Sequence, residues 1–280
     1  MKRKQHCATG LIALVLCVCL VGGTAVPAHA FTFTASSKWD VGVNTATNNL
    51  AFYGSPGGAT WSVMGAGFTD VSTFDNNHVG FSTAAITSLN VAGWGVAQYE
   101  TMFDWALDTW AAASGFSNLG QVADGGVNVG AAEPAGGLGD IRIAAWGNPN
   151  AITLAEAWNP GNEAIFGAGG SIAGDAHFDV GWTWVDNGAD ITGNGVFDLS
   201  TVVLHEFGHS LGLGHSGVAG SLMDPIYQGG HRWLHADDIA GIQAIYGGGV
   251  DDPIPEPGTL VLFGTGLLGA AGFVRRRFNV

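Results

Sequence analysis

The chain has 280 residues, 23 acidic against nine basic side chains and a net charge of −14, a balance that disfavours nucleic acid and anionic lipid as partners. Its 46 glycines come with ten tryptophans and fifteen phenylalanines, enough apolar surface for a folded core and against disorder. The three cysteines, Cys7, Cys17 and Cys19, all fall in the first twenty residues, so the rest of the chain must hold together without a disulfide.

In chain order, Lys2 to Lys4 precede an apolar run from Leu11 to Val21, and Ala28-His29-Ala30 is a small-residue cleavage site. Residues 1–30 therefore read as an export signal of the Sec type, with Phe31 as the first mature residue. Between residues 31 and 254 only Lys38, Arg142 and Arg232 oppose 22 acids, a net charge near −19. Residues 31–55 show no clear periodicity and are expected to be an extension or a short prosegment. Strands are predicted over Trp61 to Met64 and Ile141 to Trp146, the latter with Ile141, Ile143 and Ala145 on one face and Arg142 on the other. From Val96 onward Tyr99, Phe103, Ala106, Leu107 and Trp110 follow helical spacing, with Glu100, Asp104 and Asp108 on a solvated opposite face. His177 to Val185 reads as strand and Asp186 to Asp198 as loop, with Asp198 placed to cap a helix beginning at Leu199. A last helix starts near His235, with Asp237 and Asp238 suiting its dipole and Ile239, Ile242 and Tyr246 facing the core.

Residues 205 to 215 carry the chemistry: His-Glu-Phe-Gly-His-Ser-Leu-Gly-Leu-Gly-His. On a helix His205 and His209 project from one face and can take two corners of a zinc tetrahedron; a turn at Gly212 returns His215 as the third ligand. Three protein ligands leave one position open for water and substrate, as in a catalytic rather than a structural site. Glu206, beside the ligands, is placed to act as general base on water activated by the metal.

This HExxHxxGxxH segment, followed by Met223 in Ser221-Leu222-Met223-Asp224-Pro225-Ile226-Tyr227, resembles the metzincin zinc peptidases, with Met223 as their Met-turn. Ser216, the Leu211 to Gly214 run, Gly139 to Ile143, Gly174 to Asp179 and Leu234 to Gly247 are similar to the matrixin, or matrix-metalloprotease-like, branch. The resemblance spans roughly residues 56 to 248 and implies an α+β catalytic domain, a twisted mixed sheet with an active-site helix and a C-terminal helix, zinc in a cleft, and a protein or peptide substrate. It also implies that Pro225, Ile226 and Tyr227 wall the pocket for the substrate residue after the cleaved bond. Asp175 and Asp179 match positions that hold calcium in relatives, although the acidic residue expected three beyond Asp179 is Trp182; the alternative is that both cap turns. The second, structural zinc of animal matrixins should be absent or altered, because only His177 matches its four ligands and Glu156 stands where a histidine is expected.

Residues 249–280 contain Pro255-Glu256-Pro257, an apolar stretch from Thr259 to Val274 and Arg275-Arg276-Arg277, an order that resembles the PEP-CTERM sorting signal of Gram-negative bacteria. That resemblance implies an exosortase-like sorting partner, a destination at the cell surface or in an extracellular matrix, and membrane contact only through this segment. The leading expectation is an exported zinc endopeptidase; the alternative is a non-catalytic, zinc-stabilised matrix or adhesion protein on the same scaffold.

Overall fold

A computed structural model describes residues 31–33, 37–40, 46–48, 53–71, 81–132, 139–147, 153–161, 171–188 and 195–248. The expectations for residues 1–30 and 249–280 lie outside the described residues. Its central sheet is built from β3 (Gly57–Val63), β5 (Phe116–Gln121), β6 (Ile141–Trp146), β8 (Ala176–Asp179) and β7 (Ala155–Ala157), in the order β5-β3-β6-β8-β7. All neighbours are parallel except β7, which runs antiparallel to β8 and forms one edge. Between β3 and β5 the chain passes through α1 (Val96–Ala112), the crossover that a parallel pair requires. A two-stranded pair, β1 (Ser37–Trp39) with β2 (Ala46–Asn48), lies outside this sheet, while β4 (Thr83–Ala84) adds to β6.

Strand β6 is buried along its whole length because both its faces are covered. Arg142 does point away from Ile141 and Ile143, but into the loop at 124–127, where its Nε donates to Asp124 Oδ1 at 2.8 Å and its Nη2 to the Val127 carbonyl at 2.7 Å. The five apolar residues expected to line α1 are all fully buried, and Met102 joins them. Its acidic face is more than solvated: Asn118 on β5 donates to Asp104 and Asp108 at 2.9 Å each, and Gln121 donates to Glu100 at 2.8 Å.

The stretch from His177 to Val185 is broken in two. Asp179 Oδ1 accepts from Gly181 N at 2.8 Å in a tight turn, after which β9 (Thr183–Val185) leaves the sheet and pairs in parallel with β10 (Val196–Asp198). Part of the expected 186–198 loop is therefore strand. Helix α2 (Leu199–Ser210) starts where Asp198 accepts from Thr201 N, as the sequence indicates. Helix α3 (Ala236–Tyr246) buries Ile242 and Tyr246 as expected and Ile245 as well, whereas Ile239 is only half-buried, so the core-facing stripe is rotated toward Ile245.

The first described residues pack beneath α2. Trp39 is buried and its indole donates to the Ser210 carbonyl at 2.9 Å; Tyr246 OH donates to the Leu211 carbonyl at 3.0 Å and accepts from Trp39 N. Trp110 of α1 donates to the Leu204 carbonyl at 3.0 Å from the other side. Three indole or phenol groups thus satisfy carbonyls of α2 and its C-terminal turn, which fixes the helix that presents the metal ligands.

Candidate metal centre

Helix α2 places His205 and His209 on one face with ring centroids 4.8 Å apart. At its end Gly212 adopts φ of 106°, a conformation that a β-carbon would strain, and the chain turns back to bring His215 within 4.7 Å of His209 and 5.4 Å of His205. The ligand atoms of the three rings lie within 4.8 Å of one another, the sole such convergence among the described residues. His205 Nδ1 donates to the Leu222 carbonyl and His209 Nδ1 to the Leu213 carbonyl, both at 2.7 Å, so each ring turns its Nε2 lone pair toward the shared point. Burial pushes the imidazole of His205 down to about 4 and that of His209 to about 3, keeping both neutral and ready to ligate. His215 is steadied through its backbone, whose carbonyl accepts from Thr32 Oγ1 at 2.7 Å. Three convergent imidazoles with no thiolate nearby fit a zinc ion with one open coordination position.

Glu206 is buried beside this point, and burial followed by the nearby Glu156 carboxylate pushes its pKa up to about 8. Met223 is buried under the ligand helix and approaches Gly208 so closely that a β-carbon there would overlap its sulfur. The turn carrying Met223 is held by two residues that the sequence pattern assigns only to a helix dipole. Asp238 accepts from Ser221 Oγ, from Leu222 N at 2.9 Å, from Met223 N at 3.1 Å and from His235 N at 2.7 Å; Asp237 accepts from Ser216 Oγ at 2.7 Å. Spacing alone could not reveal these bonds, since the partners are 15 or more residues apart, except for His235.

A profile of the matrixin family of M10 peptidases matches residues 93–247, more than half of the chain. The chain belongs to the matrixin family. Matrixin relatives include matrilysin of Rattus norvegicus, 50% identical over 93 residues, which are 31% of this chain and 33% of that protein. Neutrophil collagenase of Homo sapiens is 46% identical over 102 residues, 35% of this chain and 19% of that protein. Interstitial collagenase of Bos taurus is 51% identical over 83 residues, 29% of this chain and 16% of that protein. The matched stretch thus spans a third or less of the length of these matrixins. Residues 253–277 match the PEP-CTERM protein-sorting motif.

Beside the three histidines of this matrixin lies a cleft of about 640 Å³, lined by Leu154, Ala155, Val202, Leu222, Pro225, Ile226 and Tyr227 together with His205, Glu206 and His215. Pro225, Ile226 and Tyr227 therefore border the metal site, with Ile226 exposed at the rim. The other expected metal positions lie on and before β8. His177 is buried between the rings of Trp146 and Trp158, with Nδ1 3.8 Å from Glu156 and Nε2 3.8 Å from Asp175. These two carboxylates approach different nitrogens of one ring, and with His177 they form no convergent group of three ligand-type side chains among the described residues. Asp175 is fully buried, and burial outweighs the attraction of Arg142 to hold its carboxyl well above the usual range. Asp179 caps the Gly181 turn. Among the described residues, Asp175 and Asp179 gain no third ligand-type side chain that converges with them.

Proposed function

We propose that this matrixin is an exported zinc endopeptidase in which His205, His209 and His215 hold the metal and Glu206 is the general base. The observation that carries this reading is the convergence of three imidazoles beside a buried carboxylate in an open cleft. When bound, zinc supplies a Lewis acid that lowers the pKa of water and polarises the peptide carbonyl. A Glu206 oxygen takes the proton from the attacking water and delivers it to the leaving nitrogen, a role open to a carboxyl that lines the cleft beside the ligands. The side chain after the cleaved bond enters the apolar cleft walled by Val202, Leu222 and Tyr227. Strand β7 is an edge, and its first residue Ala155 and the preceding Leu154 line the same cleft, so an extended substrate can pair along it.

The domain plan follows the sequence: residues 1–30 as signal peptide, 31–55 as an N-terminal segment, 56–248 as the peptidase and 249–280 as the sorting tail. The PEP-CTERM match supports export by a Gram-negative bacterium and handling by an exosortase-type partner, with the cell surface or its matrix as destination. Calcium at Asp175 or Asp179 remains a proposal that metal analysis of the purified protein decides. The test of the catalytic reading is Glu206→Gln, which should retain zinc and lose peptide cleavage by at least about a hundredfold. Cleavage at the wild-type rate with zinc retained refutes the assigned base.

A further inference from the structure

The cleft has one wall that no helix or strand supports. Residues 221–235, between the two helices, contain no regular element, yet they supply Leu222, Pro225, Ile226, Tyr227 and His231 to the lining. Besides backbone bonds near its start, such as Ser216 N to the Met223 carbonyl at 2.8 Å, this wall is tied by side-chain bonds. Its start is held by Asp238, as described above. Its far end is held by Arg232, whose Nε donates to Asp198 Oδ2 at 2.8 Å and whose Nη2 donates to both Asp198 Oδ1 and Asp186 Oδ1.

Asp198 is a hub for this side of the cleft. Its carboxylate also accepts from Thr201 Oγ1 at 2.7 Å, and that hydroxyl accepts from His231 N at 2.8 Å. Its backbone N donates to Tyr227 OH at 2.9 Å. Thr201, Tyr227 and His231 all line the cleft and all are tied to Asp198, Thr201 through its carboxylate, His231 through the Thr201 hydroxyl and Tyr227 through its backbone N, while Arg232 holds the same carboxylate from the loop side. The bidentate fork is the geometry in which Arg holds a carboxylate best, and Lys does not reproduce it. Arg232 is one of only three basic residues between positions 31 and 254.

We propose that Arg232 is a positioning residue that sets the depth of the substrate cleft: by latching the loop onto Asp198 it limits the accepted side chain to an apolar group of bounded length. The inference rests on the peptidase reading above. Arg232→Ala should still fold, because Asp198 keeps the bonds from Thr201 N at 3.1 Å and Gly188 N at 3.0 Å that cap the helix and hold the preceding loop.

The test compares the full chain with Arg232→Ala and Arg232→Lys on peptides carrying leucine, phenylalanine or a biphenyl side chain after the scissile bond. The wild type should cleave the leucine and phenylalanine peptides and discriminate against the biphenyl one. Arg232→Ala should lose at least about tenfold of that discrimination, chiefly through KM, with Arg232→Lys between the two. An unchanged ratio in Arg232→Ala, or a wild type that accepts the biphenyl peptide equally, overturns the proposal. Hydrogen exchange is measured on the same proteins, with faster exchange of the 227–232 amides expected in Arg232→Ala. If the wild type cleaves no peptide, the peptidase reading fails, and exchange alone decides the latch: faster exchange supports it and unchanged exchange overturns it.

Discussion

Asp238 lies on the helix that follows the one carrying His205 and His209, yet its substitution should reach those histidines. Its carboxylate accepts four donors, from Ser221 Oγ, Leu222 N, Met223 N and His235 N, and it is almost fully buried. In Asp238→Ala, Ser221 Oγ remains within 3.1 Å of Met223 N, but Leu222 N and His235 N lose this acceptor. At about 1–3 kcal/mol for each buried donor left unpaired, and with the bonds to a charged acceptor at the upper end, the loss should be about 3–5 kcal/mol. That is a large fraction of the stability of about 5–15 kcal/mol typical of a domain. The Leu222 carbonyl orients His205, so a loosened turn also disturbs the first ligand. Outer partners of metal ligands are worth about 10–100-fold in affinity, and zinc affinity should fall within that range. Asp238→Asn keeps the shape and two acceptor positions, and should cost about half as much. Zinc affinity by competition with a chromophoric chelator, paired with chemical denaturation, gives both numbers. If Asp238→Ala binds zinc as tightly as the wild type, the argument that this carboxylate orients His205 through the Met223 turn is wrong.

Gly208→Ala pushes a β-carbon into the sulfur of Met223 and against Trp110; it should cost about 1–3 kcal/mol and weaken zinc binding, and a melting temperature equal to the wild type's would count against that packing. Burial alone would raise the Asp198 carboxyl, but hydrogen bonds from Arg232, Thr201 and Gly188 outweigh it and hold the group below its ordinary value. A depressed carboxyl contributes stability that is whole above the ordinary Asp value of about 3.9 and is lost as pH falls through the depressed one. The melting-temperature gap between wild type and Asp198→Asn, measured with chelator in both samples so that the histidine titrations they share cancel, should therefore be wide at neutral pH and close in that acid range; a gap independent of pH contradicts the assignment. Zinc removal by a chelator should abolish cleavage and be reversed by added zinc, and His209→Ala should bind no zinc at the catalytic position, which metal analysis checks.

The convergence of the three histidines, the turn glycine and the helix cap were legible in the sequence because each depends on local geometry. His205 and His209 share a face by helical period alone, Gly212 answers a backbone need, and Asp198 precedes its helix by one residue. The paths of β6 and α1 were legible for the same reason, as runs and stripes of apolar residues. The break at Gly181 was not, since an apolar run continues through it and a two-residue turn decides the outcome. Nor was the offset in α3, where Ile245 rather than Ile239 meets the core, because the choice depends on which neighbours arrive against the helix.

By itself, then, the sequence determined the three-histidine motif, the family and the tail motif, all carried by short segments whose spacing is their meaning. Tertiary structure alone decided what the isolated charges do. In one dimension Arg142 reads only as the opposite face of its strand, Arg232 only as one of three positive charges, and Asp237 and Asp238 as helix-dipole residues. Each is instead tied to groups brought close by packing: Asp124 for Arg142, Asp186 and Asp198 for Arg232, and the Met223 turn for the two aspartates. The physical reason is that a buried charge must find its partner in space, and distance along the chain places no bound on where that partner comes from.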